Sequence, residues 1–214
     1  MTKQPVTAPT DGEPRITSIG IDPSLTATGV VVLTDGRVAR EYVLETTPEE
    51  GSLPERLHIQ RERIIKIVCS ALDSAQEVVV ALEAQIWMGA GGHTAQQSAA
   101  LQAFYQVALW EIKWPALHYL SVNVAQVKKY VGAQHKNQVL LQVFKRWGRE
   151  YKDDNVADAY VLAQIGSMFL GRLRGYPTPS VSKPQGEVLL KLHTGWSPPA
   201  TKKTTPRKGK RMVR

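Results

Sequence analysis

The chain has 214 residues, with 27 Lys and Arg against 19 Asp and Glu, and a single cysteine, Cys69. That length suits one domain with appendages, and an apolar content of 43% is enough to fill a core. A lone cysteine excludes a disulfide framework and points to a reducing, cytoplasmic compartment. No apolar run reaches the roughly 18 residues of a membrane span, and residues 1–14 lack the apolar stretch of a secretory signal. These features argue against secreted, membrane-spanning and collagen-like classes.

The net charge of +8 is unevenly placed. Residues 1–170 carry 16 basic and 18 acidic side chains, whereas 171–214 carry 11 basic ones against Glu187 alone. A near-neutral body with a cationic tail suits a polyanionic partner; a merely solubilising tail is the plain alternative.

Residues 1–14 are rich in Pro, Thr and Asp and read as a disordered arm. A strand follows over 16–22 and a β-branched one over 28–33. Asp35-Gly36 is a hairpin turn signal, so 37–44 returns as a third, antiparallel strand. Pro54 opens a helix, where its missing N–H does no harm. Its apolar face is Leu57, Ile64, Ile65, Val68 and Leu72, with Cys69 expected in the core. Residues 77–83 (EVVVALE) form a continuous apolar strand, suited to burial on both faces. A Gly-rich loop, 87–93, leads to a long helix over 94–114 that His93 begins. This helix is apolar on two sides, Ala100, Phe104, Val107 and Trp114 on one and Leu101, Tyr105, Leu109 and Ile112 on the other. One side suits the sheet and the other a second copy of the chain. A fifth strand spans 117–122, then come helices over 123–131, 136–150 and 154–170. The helix over 136–150 would turn Val139, Leu140, Val143, Phe144 and Trp147 inward. Beyond 171 six prolines argue against regular structure. A three-stranded meander followed by alternating helices and strands gives a mixed α/β sheet of five strands with helices on its faces.

Carboxylates stand at unusual places in this frame. Asp22 ends the first strand and Glu83 the fourth. If these strands are adjacent and parallel, the two carboxylates lie side by side. Asp158 sits on the last helix, one turn after Asp154 and Asn155. Clustered like charges repel, and burying them without a counter-ion is costly. Mg²⁺ or Mn²⁺, with their preference for oxygen ligands, resolves that conflict. Two such ions can serve the attacking and leaving oxygens of a phosphodiester. Singly, each residue has a dull role: Asp22 could cap a turn, Glu83 could close a strand, and Asp154 could cap a helix. The combination, with the basic tail, favours a nuclease.

Five stretches, matching four motifs, carry a resemblance. Residues 20–29 (GIDPSLTATG) resemble the first motif of the RuvC-type Holliday junction resolvases, and 80–83 (VALE) the second. Residues 126–132 (QVKKYVG) and 135–139 (HKNQV) resemble the lysine-bearing segment, and 157–163 (ADAYVLA) the final motif. They fall in the right order over roughly 16–170, and the Pro-rich flanks look most like phage-encoded members, which would act in a bacterial host's cytoplasm. The resemblance implies an RNase H-like nuclease domain over 15–171, between an arm (1–14) and a Pro-rich basic tail (172–214). It also implies a homodimer, no nucleotide cofactor, and symmetric nicking of four-way DNA junctions with two Mg²⁺ or Mn²⁺ ions per site. The metal ligands it implies are Asp22, Glu83 and Asp158, with Asp154 or Asn155 as the fourth; the charge favours Asp154. Lys128 and Lys136 match the family's catalytic lysines, with Lys129 a possible substitute. Where the family usually has Gly after Asp-Pro, this chain has Ser24.

Lysines near a scissile phosphate stabilise developing charge, although plain phosphate contact would explain them too. Trp87, on the Gly-rich loop, can stack on or wedge between bases, or it can pack onto the long helix. Lys129, Lys136, Lys202, Lys203, Arg207 and Lys208 are further candidate DNA contacts. Competing readings are a catalytically silent branched-DNA-binding protein and an RNase H-like ribonuclease on structured RNA. An actin-like ATPase shares the opening hairpin, but the chain lacks the further Gly-rich phosphate segments it would need.

Overall fold

A computed structural model describes residues 16–84 and 93–192. The elements are β1 (Ile16–Asp22), β2 (Ala27–Thr34), β3 (Arg37–Glu45), α1 (Leu53–Leu72), β4 (Glu77–Ala84), α2 (His93–Glu111), β5 (Leu117–Asn123), α3 (Val124–Val131), α4 (Val139–Trp147), α5 (Asp154–Arg174) and α6 (Lys183–Leu189). Single 3-10 turns lie at Pro48–Glu50 and Lys136–Gln138. The five strands form one sheet in the order β3-β2-β1-β4-β5. β1 pairs antiparallel with β2 and parallel with β4, and β5 extends the parallel half. The meander turns at Asp35 (φ 51°) and Gly36 (φ 73°), the left-handed pair that an Asp-Gly hairpin supplies.

Helices cover both faces, as a sheet with strands buried on two sides demands. On one face Ile19, Ile21, Val30, Val32, Val78, Val80 and Leu82 meet α1 and α2. On the other, Val31, Leu33, Val79, Ala81, Leu120 and Val122 meet α3, α4, α5 and α6. Alternation along each strand sorts these residues. Ser18, Gly20 and Asp22 therefore share the α5 face of β1, and Val79, Ala81 and Glu83 share that face of β4.

α5 lies closer to the sheet than side chains normally allow. A Cβ on Gly20 would fall 1.9 Å from the Ala159 carbonyl oxygen, and one on Gly29 would fall 2.2 Å from that of Asn155. The Ser18 hydroxyl locks the contact by donating to the Ala163 carbonyl at 2.7 Å. Bare backbone at these points lets the helix approach far enough to carry Asp158 to the strand ends.

Several expectations need correction. The helix expected over 136–150 is a 3-10 turn followed by α4, which stops at Gly148 in the left-handed conformation (φ 68°). Phe144, expected inward, is 53% exposed. Cys69 is exposed, because it lies a step beyond Val68 around α1 and off its buried face. The last long helix runs on to Arg174. Regular structure also continues past 171, as α6. Pro184 sits in the first turn of α6, where it is harmless, and the Ser182–Gln185 capping box starts the helix. Val188, Leu189 and Leu192 bury it in the core against α3 and α5. Among the described residues no helix is long and apolar enough to cross a membrane. The arm at 1–14, Trp87 and the run 201–214 lie outside the described residues.

Candidate active site

The parallel register of β1 and β4 runs through Ile21 opposite Leu82, so Asp22 and Glu83 follow one step on at the same sheet end. Both turn toward α5. The side chain of Asp153, not Asp154, caps that helix, accepting from Asn155 N at 2.8 Å and Val156 N at 3.2 Å. With the first turn fixed this way, Asp158 comes one turn later onto the sheet face. Asp22 is 7% and Asp158 6% exposed.

Burial and proximity set the charge state. The Asp22 carboxyl is held well above the usual range, first by burial and then by the charges of Glu83 and Asp158. Burial, then Asp158, pushes Glu83 up to about 7, against the lowering pull of Lys136 and Lys128. Burial raises Asp158 to about 6, with both lysines again opposing it. These are the signatures of carboxyls packed together without enough positive charge.

Lys136 comes from the 3-10 turn after α3 and Lys128 from α3 itself. Lys136 Nζ lies 3.1 Å from Asp154 Oδ2 on the exposed rim. Desolvation alone would lower its pKa, but Asp154, Asp22 and Asp158 outweigh that and raise it. Asn155 has a different attachment. Its amide donates to the Ala27 carbonyl of β2 at 2.9 Å, leaving the side-chain oxygen as its remaining acceptor. Lys129 faces away, paired with Glu187 of α6 at 2.5 Å.

Solved structures share this architecture. Thermus thermophilus RuvC in complex with a Holliday junction substrate matches with a TM-score of 0.56 at 20% identity, covering 77% of this chain and 99% of that one. A second Thermus thermophilus RuvC structure matches at 0.55 and 20% identity, with the same coverage. The chain has the RuvC fold. No protein-family model and no curated protein matches the sequence.

On the RuvC fold the chain thus brings Asp22, Glu83 and Asp158 to one end of the sheet, with Lys136, Lys128 and Asp154 in electrostatic reach. Lys129 stays apart. As oriented, the described His, Cys, Asp and Glu side chains form no group of three arranged around an ion. The donor set nevertheless fits a hard divalent cation. It is all oxygen and crowded, and its raised carboxyls are what such a charge would relieve.

The sequence reading missed the polar scaffold behind the site. Gln60 is fully buried, and its amide donates to the Leu44 carbonyl at 2.7 Å. Tyr105, also fully buried, donates to Gln60 Oε1 at 3.0 Å and stands 3.1 Å from Thr28 Oγ1. Glutamine at an apolar-periodic position of α1 was the one available signal.

Proposed function

We propose that this protein is a metal-dependent, structure-selective endonuclease. It would resolve Holliday junctions, and other branched DNA, by paired nicks. The observation that carries this reading is the meeting of two buried carboxyls, Asp22 and Asp158, and the half-buried Glu83 with two lysines at one sheet end of a RuvC fold.

In this reading Asp22, Glu83 and Asp158 hold two Mg²⁺ or Mn²⁺ ions, with Asp154 as fourth ligand and Asn155 as its alternative. When bound, the ions supply an activated water and charge stabilisation at the leaving oxygen. The chain's own residues do the rest. Burial excludes bulk water from Asp22 and Asp158 and strengthens every charge interaction there. Lys136 and Lys128 place positive charge where a phosphodiester gathers negative charge. Asp154 keeps Lys136 at the rim, where it can meet the backbone phosphate. Lys129 would contact phosphate only after releasing Glu187. Trp87 and the cations Lys202, Lys203, Arg207 and Lys208 supply further contacts: the tryptophan by stacking, the tail by neutralising phosphates without reading bases.

A junction has two scissile strands related by near two-fold symmetry, so the working form in this proposal is a homodimer. α2 supplies the surface. Phe104 (40% exposed), Val107 (54%) and Trp110 (70%) leave an apolar face uncovered, with Trp114 (50%) just beyond. That face borders a groove of about 710 Å³ between α2 and β5.

The test is incubation with a mobile four-way junction, a three-way junction, linear duplex and structured RNA across Mg²⁺ concentrations. Paired symmetric nicks in the four-way junction, absent in Asp22→Asn, are expected. Tight junction binding without nicking would favour a silent binding protein. Preferential RNA cleavage would favour the ribonuclease.

A further inference from the structure

α2 carries two buried polar side chains that the proposed chemistry leaves unused. Gln102 is 6% exposed, and its amide donates to the backbone carbonyl of Glu83 at 2.9 Å. Tyr105 follows three residues later on the same helix face. Its hydroxyl touches Thr28 at the start of β2, just past the turn that follows Asp22. Thr28 Oγ1 accepts from Ser24 N at 3.0 Å and donates to the Ser24 carbonyl at 2.7 Å, closing the turn on itself.

Proton accounting shows how tightly this is specified. Gln60 uses its amide N–H on Leu44, so its oxygen must accept, and the Tyr105 proton goes there. The Thr28 proton is then shared between the Ser24 carbonyl and the Tyr105 oxygen. Two hydroxyl protons thus serve three contacts in a fully buried cluster. α1 fixes the same turn from the other side: Arg56 Nη2 donates to the carbonyls of Leu25 at 3.3 Å and Thr46 at 3.0 Å. Phe and Met would fill the Tyr105 and Gln102 sites with less desolvation, so packing alone does not call for polar groups here.

We propose that Gln102 and Tyr105 are positioning residues, and that α2 is a strut setting the distance between the Glu83 strand end and the turn that follows Asp22. One rigid helix grips both strands beside the residues that carry the chemistry. The inference rests on the nuclease reading above, because only a reaction that needs a fixed spacing of the two carboxylates gives the strut a purpose. Small displacements matter at such a site: a shift of about 1 Å can slow a reaction by about a hundredfold.

The experiment compares full-length wild type, Tyr105→Phe and Gln102→Met. It measures Mn²⁺ binding without DNA by electron paramagnetic resonance, junction affinity without metal, single-turnover nicking at saturating junction, and thermal midpoint. Expected are unchanged junction affinity, a several-fold weaker Mn²⁺ affinity, and a nicking rate lowered by about tenfold, which extra Mn²⁺ partly restores. The split between unchanged binding and slowed turnover is what a merely structural role would not give. Tyr105→Phe deletes one oxygen, so it decides the matter if Gln102→Met does not fold. Two folded variants that bind Mn²⁺ and nick like wild type would overturn the strut alone. Unfolding of both variants would also overturn it, by making the pair purely structural. A wild type that neither binds Mn²⁺ nor nicks would bring down the nuclease reading, and the strut with it.

Discussion

Lys136 Nζ rests 3.1 Å from Asp154 Oδ2, although the charges of Asp22, Glu83 and Asp158 all bear on the same lysine. Both partners are more than half exposed, so the pair itself adds at most about 1 kcal/mol to stability. Its value lies in where it holds the cation. Asp154→Asn is expected to leave the thermal midpoint within a degree or two, to weaken Mg²⁺ dependence and to slow nicking. Asn155→Ala should do the opposite. It removes the bond to the Ala27 carbonyl and costs about 1 kcal/mol of stability, with the metal response kept. Denaturant titrations beside Mg²⁺ titrations of nicking separate the two; the reverse pattern would make Asn155 the ligand.

Neutralising a carboxylate should trade activity for stability. Asp22→Asn, Glu83→Gln or Asp158→Asn removes a buried or half-buried carboxyl whose charged form its neighbours repel. Each is expected to abolish nicking by several orders of magnitude while leaving junction binding intact. In metal-free buffer at pH 8 each should also stabilise the fold, for Glu83→Gln and Asp158→Asn by on the order of 1–2 kcal/mol. Near-normal nicking by Glu83→Gln would defeat the two-ion scheme.

The same crowding fixes a pH dependence. Glu83 titrates near 7 and Asp158 near 6 in the folded protein, against ordinary values of 4.5 and 3.8. Between those limits the folded state holds protons that the unfolded state has lost, so stability falls as pH rises. Metal-free thermal midpoints should therefore decline from about pH 5 to pH 8. Mg²⁺ should raise the midpoint at pH 8 and do little at pH 5. A Mg²⁺ effect of equal size at both pH values would contradict this.

Gly20→Ala should be far worse than an ordinary surface change. Its methyl would meet the Ala159 carbonyl oxygen at 1.9 Å, and backbone cannot give way as a side chain can. α5 must lift, so a loss of about 3 kcal/mol or more is expected. A control at Gly36, where a Cβ meets nothing within 4 Å, should suffer only the strain of its left-handed backbone. Urea unfolding of both variants gives the comparison, and similar losses would show that α5 can retreat freely.

The apolar face of α2 gives the last prediction. Trp110→Glu places a charge at the most exposed aromatic of that face, 70% exposed in the single chain. Sedimentation should show wild type as a dimer at micromolar concentration and the variant as a folded monomer. Paired nicks in one junction should give way to single nicks. A wild type that stays monomeric would remove the symmetric scheme.

Much of this arrangement is legible in the sequence because it rests on period and punctuation. The short apolar run 77–83 suits a buried strand, and Asp35-Gly36 is a strong hairpin signal. The structure supplies the adjacency of β1 and β4 that makes Asp22 and Glu83 neighbours. What escapes the sequence depends on tertiary context. Tyr105 and Gln102 look like ordinary members of a helix, and only the packed structure shows their polar atoms reaching Thr28 and the Glu83 carbonyl. Asp154 reads from the sequence as a possible cap; the backbone turn gives that role to Asp153 and frees Asp154 for Lys136. α6 was obscured by counting Pro184 as a breaker, when a proline in a first turn, after Ser182 and with Gln185 three residues past that serine, marks a start.

The strand order also governs when the site comes into being. β1, β2 and β3 pair through short turns and can form early, but Asp22 meets Glu83 only when β4 closes over the whole of α1. Asp158 joins only when α5, further along the chain, docks on Gly20 and Gly29. Contacts so distant in sequence are the slow ones in folding. A chain emerging from the ribosome therefore carries no assembled carboxylate cluster until nearly all of its described residues have been made. Whatever chemistry the cluster performs is withheld by topology until these distant elements have met.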